Sequence, residues 1–184
     1  MRCRGLPNGT WAWGTGRGVD VVAVTKLLRR AAATVALIVA PIAAVLTATP
    51  AHAATATPTS LESQIISLTN KHRVAAGCPK LATNTTLVYA ARAHSKDMAT
   101  YNYFSHTGRD GSTFVQRAAR AGYSAASAEN IAWGYRGAEA VVTGWMNSAG
   151  HRQNILTCSH KVVGVGVAKK ADGTPYYTQM FGRA

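Results

Sequence analysis

The spacing of apolar positions changes several times along the last two thirds of the chain, and each change predicts an element. Leu61, Ile65, Leu68 and Val74 or Ala75 recur at helical spacing, which predicts a helix capped by Ser60 and ended by Gly77 and Pro79. A second helix, from Thr83 to Asn102, carries Leu87, Ala90, Ala91, His94, Met98 and Tyr101 on one stripe. Asp110-Gly111-Ser112 reads as a turn before a short helix from Thr113 to Ala121, stopped by Gly122. Ser124 to Tyr135, with Ile131, Ala132 and Trp133 following Glu129, reads as a strand. Glu139 to Asn147 is predicted as a helix that packs through Ala140, Val141, Gly144 and Trp145. Val162 to Ala168 is a β-branched run interrupted by glycines; with the turn at Ala171-Asp172-Gly173 and a strand from Pro175 to Phe181 it predicts a hairpin. Helices, then a strand, a helix and a hairpin imply an α+β domain with helices packed on a small antiparallel sheet.

One junction interrupts this pattern. The apolar helix end Val141, Val142, Trp145 and Met146 runs through Asn147 and Ser148 into an expected turn at Gly150, after which His151, Arg152 and Asn154 follow at once. His106, closing Tyr103-Phe104-Ser105, and Glu129, beside Asn130-Ile131, are also polar residues set against apolar runs. The expectation is a fold that brings these three segments together.

Upstream, Lys26, Arg29 and Arg30 precede an apolar run from Ala31 to Ala48, interrupted by Pro41 and followed by Ala51-His52-Ala53. That is the order of a secretory signal. Residues 1–53 are therefore expected to be removed, residues 54–60 to form a flexible leader, and residues 61–184 to form one domain. The stretch before Lys26 is long for a cationic leader, so a translation start later than Met1 is one reading of it. An uncleaved membrane anchor is the rival to cleavage, against which Pro41 and the small-residue end count. Cleavage leaves Cys78 and Cys158 as the only cysteines, which in an exported chain predicts one disulfide. Closing a loop of about 80 residues stabilises by about 4 kcal/mol in the chain-entropy treatment.

The whole chain has a formal net charge of +13, and between Ala54 and Ala184 fourteen Lys or Arg face six Asp or Glu. In a basic exported domain this charge reads either as a soluble surface or, more sharply, as attraction to anionic wall polymers, lipid headgroups or nucleic acid. Without an aromatic-interleaved basic stripe, no nucleic-acid partner is expected. No stable membrane span is expected after cleavage, and a monomer is expected.

Several ordered segments go together: Ala90-Ala-Arg-Ala-His94-Ser-Lys-Asp97-Met98, Tyr103-Phe-Ser-His106, Asp110-Gly111, Arg117, Gly122-Tyr123 and Glu129-Asn130-Ile131-Ala132. Trp145-Met-x-Ser148-x-Gly150-His151-Arg152-x-Asn154-Ile155-Leu156, Gly164-Val-Gly166-Val167 and Tyr177-Thr178-Gln179-x-Phe181-Gly182 complete the series. Together they resemble the CAP superfamily, the SCP-like extracellular domain of cysteine-rich secretory proteins, venom antigens and plant pathogenesis-related proteins, and within it the bacterial secreted branch. The resemblance implies a three-layer α-β-α sandwich with a small central antiparallel sheet and a surface cleft. In eukaryotic members that cleft holds two histidines and two acidic residues, in some cases with a divalent metal such as zinc. His106 matches the first histidine and Glu129 the glutamate before Asn-Ile. Ser148 stands where the second glutamate belongs and Tyr176 where the second histidine belongs, so two of the four positions depart.

The cleft residues expected on these grounds are His106, Glu129, His151, Arg152, Tyr176 and Gln179, with His106 and His151 as the candidate metal ligands. His151 following Ser148 is a substitute for the missing histidine on our reading, whereas on the structural reading His151 and Arg152 cap a helix C-terminus. An acid held against His106 would fix its tautomer, as a proton shuttle or metal ligand needs. Asn154 is expected to satisfy backbone groups, and His94 to be a hydrogen-bonded core histidine. Ser148, His151 and Glu129 raise a Ser-His-Glu hydrolase, but Ser-Ala-Gly-His lacks the nucleophile elbow of hydrolases. Two functions stay open. One is a secreted, non-enzymatic binding module for an anionic or amphipathic ligand such as a lipid, cell-wall polymer or peptide. The other is a hydrolase using His106 and Glu129, with or without a metal.

Overall fold

The computed structural model describes residues 56–183. The expected signal, its cleavage point at Ala53, and Cys3 lie outside the described residues. In chain order the elements are α1 (Ser60–Ala75), β1 (Ala82–Thr83), α2 (Thr85–Tyr101), α3 (Phe114–Arg120), β2 (Ala126–Trp133), α4 (Ala138–Asn147), α5 (Ala149–Leu156), β3 (Val162–Lys169) and β4 (Pro175–Gly182).

The cap of α1 is Thr59, one residue before the predicted Ser60. Thr59 and Glu62 close a capping box, Oγ1 of Thr59 accepting from the Glu62 N–H at 3.3 Å and Glu62 Oε2 accepting from the Thr59 N–H at 2.6 Å. Glu62 is fully buried and reaches further, pairing with Arg92 of α2 and accepting from the Val167 N–H at 3.1 Å. One carboxylate thus ties α1 to α2 and β3. Ala56 and Thr57, in the expected leader, are held by Thr85 and Arg92.

At the far end of α1 the sequence reading fails in one particular. Val74 is 51% exposed, and Arg73 takes the buried place. Its guanidinium donates to the carbonyls of Ile155 at 2.6 Å, Thr157 at 2.9 Å, Pro79 at 3.0 Å and His160 at 3.3 Å. The last turn of α5 leaves carbonyls without partners, and Arg73 supplies donors that hydrophobic spacing cannot reveal. Burial lowers the proton affinity of this guanidinium. Gly77, with φ of +80°, then turns the chain. Beside it the Cys78–Cys158 disulfide joins the ends of α1 and α5 across 80 residues of sequence.

The sheet order is β1-β3-β4-β2. β3 and β4 form the predicted antiparallel hairpin, and β2 pairs antiparallel with β4. The expectation of a purely antiparallel sheet is corrected at one edge, where the two-residue β1 pairs parallel with β3. Two residues are too short to show a strand period in sequence. Successive residues of β3 serve opposite faces. Val163 and Val165 join Ile65, Val141, Trp145 and Ile155 in the core under α1, α4 and α5. On the other face a Cβ at Gly164 would lie 2.3 Å from the Leu87 carbonyl carbon, and one at Gly166 2.1 Å from the Arg92 nitrogen. The missing side chains let α2 lie directly on the strand. The result is the three-layer α-β-α sandwich, α2 and α3 on one side and α1, α4 and α5 on the other.

Candidate functional site

β2 is an edge strand, and both faces of the sheet are within reach around it. Glu129 lies in the middle of β2, opposite Met180 and within the predicted strand. Its side chain is buried on the α2 and α3 face. Oε1 accepts from His106 Nδ1 at 2.9 Å and Oε2 from Arg117 Nη2 at 2.7 Å. Arg117 also donates to the Ser112 carbonyl at 2.7 Å, which fixes the loop after His106. The expected His106–Glu129 pair is therefore present, with an arginine behind it that the sequence showed only as a family position. With Nδ1–H donated to Glu129, His106 is left with an exposed Nε2.

The opposite face of β2 is sealed by the Trp145 to Ile155 segment. The indole N–H of Trp145 donates to the Ile131 carbonyl at 3.1 Å, and Asn154 donates to the Glu129 carbonyl at 3.3 Å and to Asn130 Oδ1 at 2.9 Å. Two carbonyls of the strand are thereby satisfied without another strand. Asn130 donates in turn to Gln179 Oε1 at 3.1 Å and to the His151 carbonyl at 3.2 Å, and Gln179 donates to Thr69 at 2.8 Å. Gln179 is fully buried in this network, not at the surface.

Gly150 is not a turn. Ser148 ends α4 and begins α5, so His151, Arg152 and Asn154 sit on a helix. That helix escaped the pattern because Ile155 is its one fully buried side chain. His151 is half-buried, and burial, followed by the charge of His106, lowers its proton affinity. Arg152 is exposed and donates to the Met146 carbonyl at 3.1 Å. That bond is the helix-end contact which the structural reading expected. His94 is buried in the core, its Nε2 donating to the Ser105 carbonyl at 2.9 Å.

Next to His151 opens a groove of about 560 Å³ whose walls include Phe104, Trp133, Tyr135, Trp145 and Ser148. Trp133 is 55%, Phe104 47% and Tyr135 40% exposed. Tyr176, at the position of the second family histidine, is buried and stacks on Trp133 with centroids 6.4 Å apart at 25°. It supports the groove wall. The sequence reading assigned Trp133 to a strand and missed this wall. The signal was there in Trp133-Gly134-Tyr135, two aromatics flanking a glycine at a strand end.

The side chains present do not fit a resident zinc ion. Both Glu129 oxygens are engaged, Ser148 replaces a carboxylate, and among the described residues no three His, Cys, Asp or Glu side chains gather around one point. A zinc site uses three or four protein ligands. Among the described residues Ser148 Oγ has no hydrogen bond to His106 or His151.

This sandwich, with a carboxylate-bound histidine at the sheet edge and a histidine-bearing helix across from it, defines a class. The profile of the cysteine-rich secretory protein family, CAP, matches residues 66–181, and the chain belongs to that family. It is 38% identical over 140 residues to the uncharacterized protein YkwD of Bacillus subtilis, covering 73% of this chain and 53% of that one. It is 40% identical over 124 residues to the uncharacterized membrane protein YlbC of the same organism, covering 67% and 34%. The chain thus spans about half, or about a third, of the curated relatives it matches. Among solved structures, an extracellular SCP-domain protein from Bacillus anthracis superimposes with a TM-score of 0.60 at 31% identity, over 70% of this chain and 45% of that one. An outer surface protein of Borrelia burgdorferi gives 0.62 at 22% identity, over 69% and 96%, a likeness of fold. No helix among the described residues is long and apolar enough to cross a membrane.

Proposed function

We propose that this chain is a non-catalytic, exported binding module that acts as a monomer after removal of its signal, and that it holds an anionic or amphipathic ligand in the groove beside His106 and His151. The observation that carries the reading is the exposed wall of Phe104, Trp133 and Tyr135 in a groove that His151 and Ser148 also line. Concave apolar walls with a few convergent polar groups are the common form of a ligand site. The solved neighbours are described as extracellular and outer surface proteins, which supports export.

The hydrolase reading keeps one specific support. His106 Nε2 makes no hydrogen bond among the described residues and its carboxylate partner stands behind it, as in a general base. One experiment separates the two. The full chain is incubated with peptidoglycan sacculi, phosphatidylglycerol vesicles and poly-L-glutamate, bound protein is measured by sedimentation or gel shift, and the solution is examined for released product by mass spectrometry. Retention without product is expected. Product formation that disappears in His106→Ala would replace the binding reading with the hydrolase.

A further inference from the structure

Resting on the binding reading above, we infer that the groove takes a carboxylate-bearing glycan strand, with a pyranose ring stacked on Trp133. The three ligand classes that suit a basic exported domain make different demands, and the edge of β2 discriminates among them.

An extended peptide is commonly bound by adding a strand to an open sheet edge. Here the carbonyls of Glu129 and Ile131 already accept from Asn154 and Trp145, so this edge has no run of free acceptors for a peptide backbone. An acyl chain gains affinity in proportion to the apolar area removed from water and needs walls around it. The groove is open, and Phe104, Trp133 and Tyr135 of its wall remain 40 to 55% exposed. A pyranose ring has one C–H face and a polar edge. It needs a flat ring on one side and hydrogen-bonding groups at the margin.

That is what the structure presents. The Trp133 indole is backed by buried Tyr176 at 25° and flanked by Phe104 at 6.5 Å and 58°, two contacts that narrow its orientations before a ligand arrives. The ring of Tyr135 continues the wall over Gly144, where a Cβ would lie 2.5 Å from Tyr135 Cζ. At the margin stand His151 and the hydroxyl of Ser148, which makes no hydrogen bond among the described residues. The chain from Ala54 to Ala184 is basic, with fourteen Lys or Arg against six Asp or Glu. Arg152 follows His151 and Arg136 follows Tyr135, neither ion-paired among the described residues. Of the nearby carboxylates, Glu129 is covered by His106 and Arg117, and Glu139 lines a depression that shares Tyr135, Gly144 and Ser148 with the groove and lies with Arg136 in another. A glycan carrying carboxylates complements both features, the flat ring and the basic charge of the chain around it.

The test is cosedimentation of the full chain with peptidoglycan sacculi, with neutral chitin, phosphatidylglycerol vesicles and poly-L-glutamate as parallel probes. Trp133→Ala, Trp133→Tyr and the pair Arg136→Gln with Arg152→Gln are the variants, each checked for the wild-type urea midpoint. The inference predicts retention on sacculi, at least about tenfold weaker in Trp133→Ala, kept in Trp133→Tyr, and weakened by salt and by the arginine pair. Equal retention on chitin, unmoved by the arginine variants, overturns the acidic part of the inference. Binding to vesicles or polyglutamate that needs Trp133, without binding to sacculi, overturns the glycan and leaves the binding reading standing. Sacculus binding that ignores Trp133 overturns the site. Absence of Trp133-dependent binding to every probe overturns this inference and removes the support for the binding reading as well.

Discussion

Gly166→Ala is the substitution whose outcome the packing determines most sharply. A Cβ at this position would sit 2.1 Å from the Arg92 nitrogen and 2.3 Å from the Ala91 carbonyl carbon, both backbone atoms of α2. Ordinary contact begins near 3.4 Å, so the helix must rise by more than an ångström over β3. Rising also stretches the bond from Ser95 Oγ to the Gly166 carbonyl, now 2.9 Å, and its continuation to Thr178. Overpacking of this kind costs about 1–3 kcal/mol, and a lost buried hydrogen bond about 1 kcal/mol more. Removing a glycine from the unfolded chain returns about 0.4–1 kcal/mol. The net expectation is a loss of roughly 2–3 kcal/mol, read as a lower urea midpoint at unchanged slope. Gly150→Ala is the matched control. It lies within α5 with nothing within 4 Å of the added methyl, so helix propensity predicts a gain of about 0.5–1 kcal/mol. A neutral Gly166→Ala would refute the seating of α2 on the strand, and a destabilising Gly150→Ala would refute the helix across Gly150.

Replacing both Cys78 and Cys158 by Ser is expected to cost about 4 kcal/mol by the loop-closure argument, and intact mass after alkylation should show no free thiol at these two positions before reduction. Arg73→Met leaves the carbonyls of Ile155 and Thr157 buried without donors and should destabilise by about 2–4 kcal/mol in urea unfolding, a cost that Arg73→Lys, lacking the fork, does not fully recover. His160 is buried against Phe181 with Nε2 unpaired, and burial, then Arg73 and Arg183, push its pKa down to about 4. The unfolded chain therefore takes up this proton near pH 6.5 while the folded one does not, and stability falls as pH drops from 6.5 to about 4, by roughly 3 kcal/mol at the full shift. The drop in urea midpoint between pH 7 and pH 4.5 should shrink in His160→Gln; an unchanged drop refutes the assignment.

The parts of the fold that follow a simple period could be read along the chain. α2 and the β3–β4 hairpin fall within one or two residues of their predicted bounds, because stripe, cap and turn residues all agree there. α5 could not be read, since a helix with one fully buried side chain carries no apolar period. Arg73 and Glu62 were invisible for a related reason: both are buried by polar partners distant in sequence, and hydropathy assigns such residues to the surface. At the site, His106 and Glu129 were legible through the ordered motifs. Arg117 was legible only as a family position, its role depending on where α3 docks. The aromatic wall was missed because Trp133 and Tyr135 look like core residues until the edge position of β2 is known.

The central claim is that ligand is held against the Trp133 wall beside His151. Its most direct test is the indole and amide NMR spectrum of the isotope-labelled full chain during titration with soluble peptidoglycan glycan strands. The account predicts that the Trp133 indole signal and the His151 and Ser148 amides shift together and saturably, and that the amide shifts vanish in Trp133→Ala. Shifts confined to a distant surface, such as Tyr89 and Arg109 beside α2, or an indole signal unmoved at saturation, would contradict it.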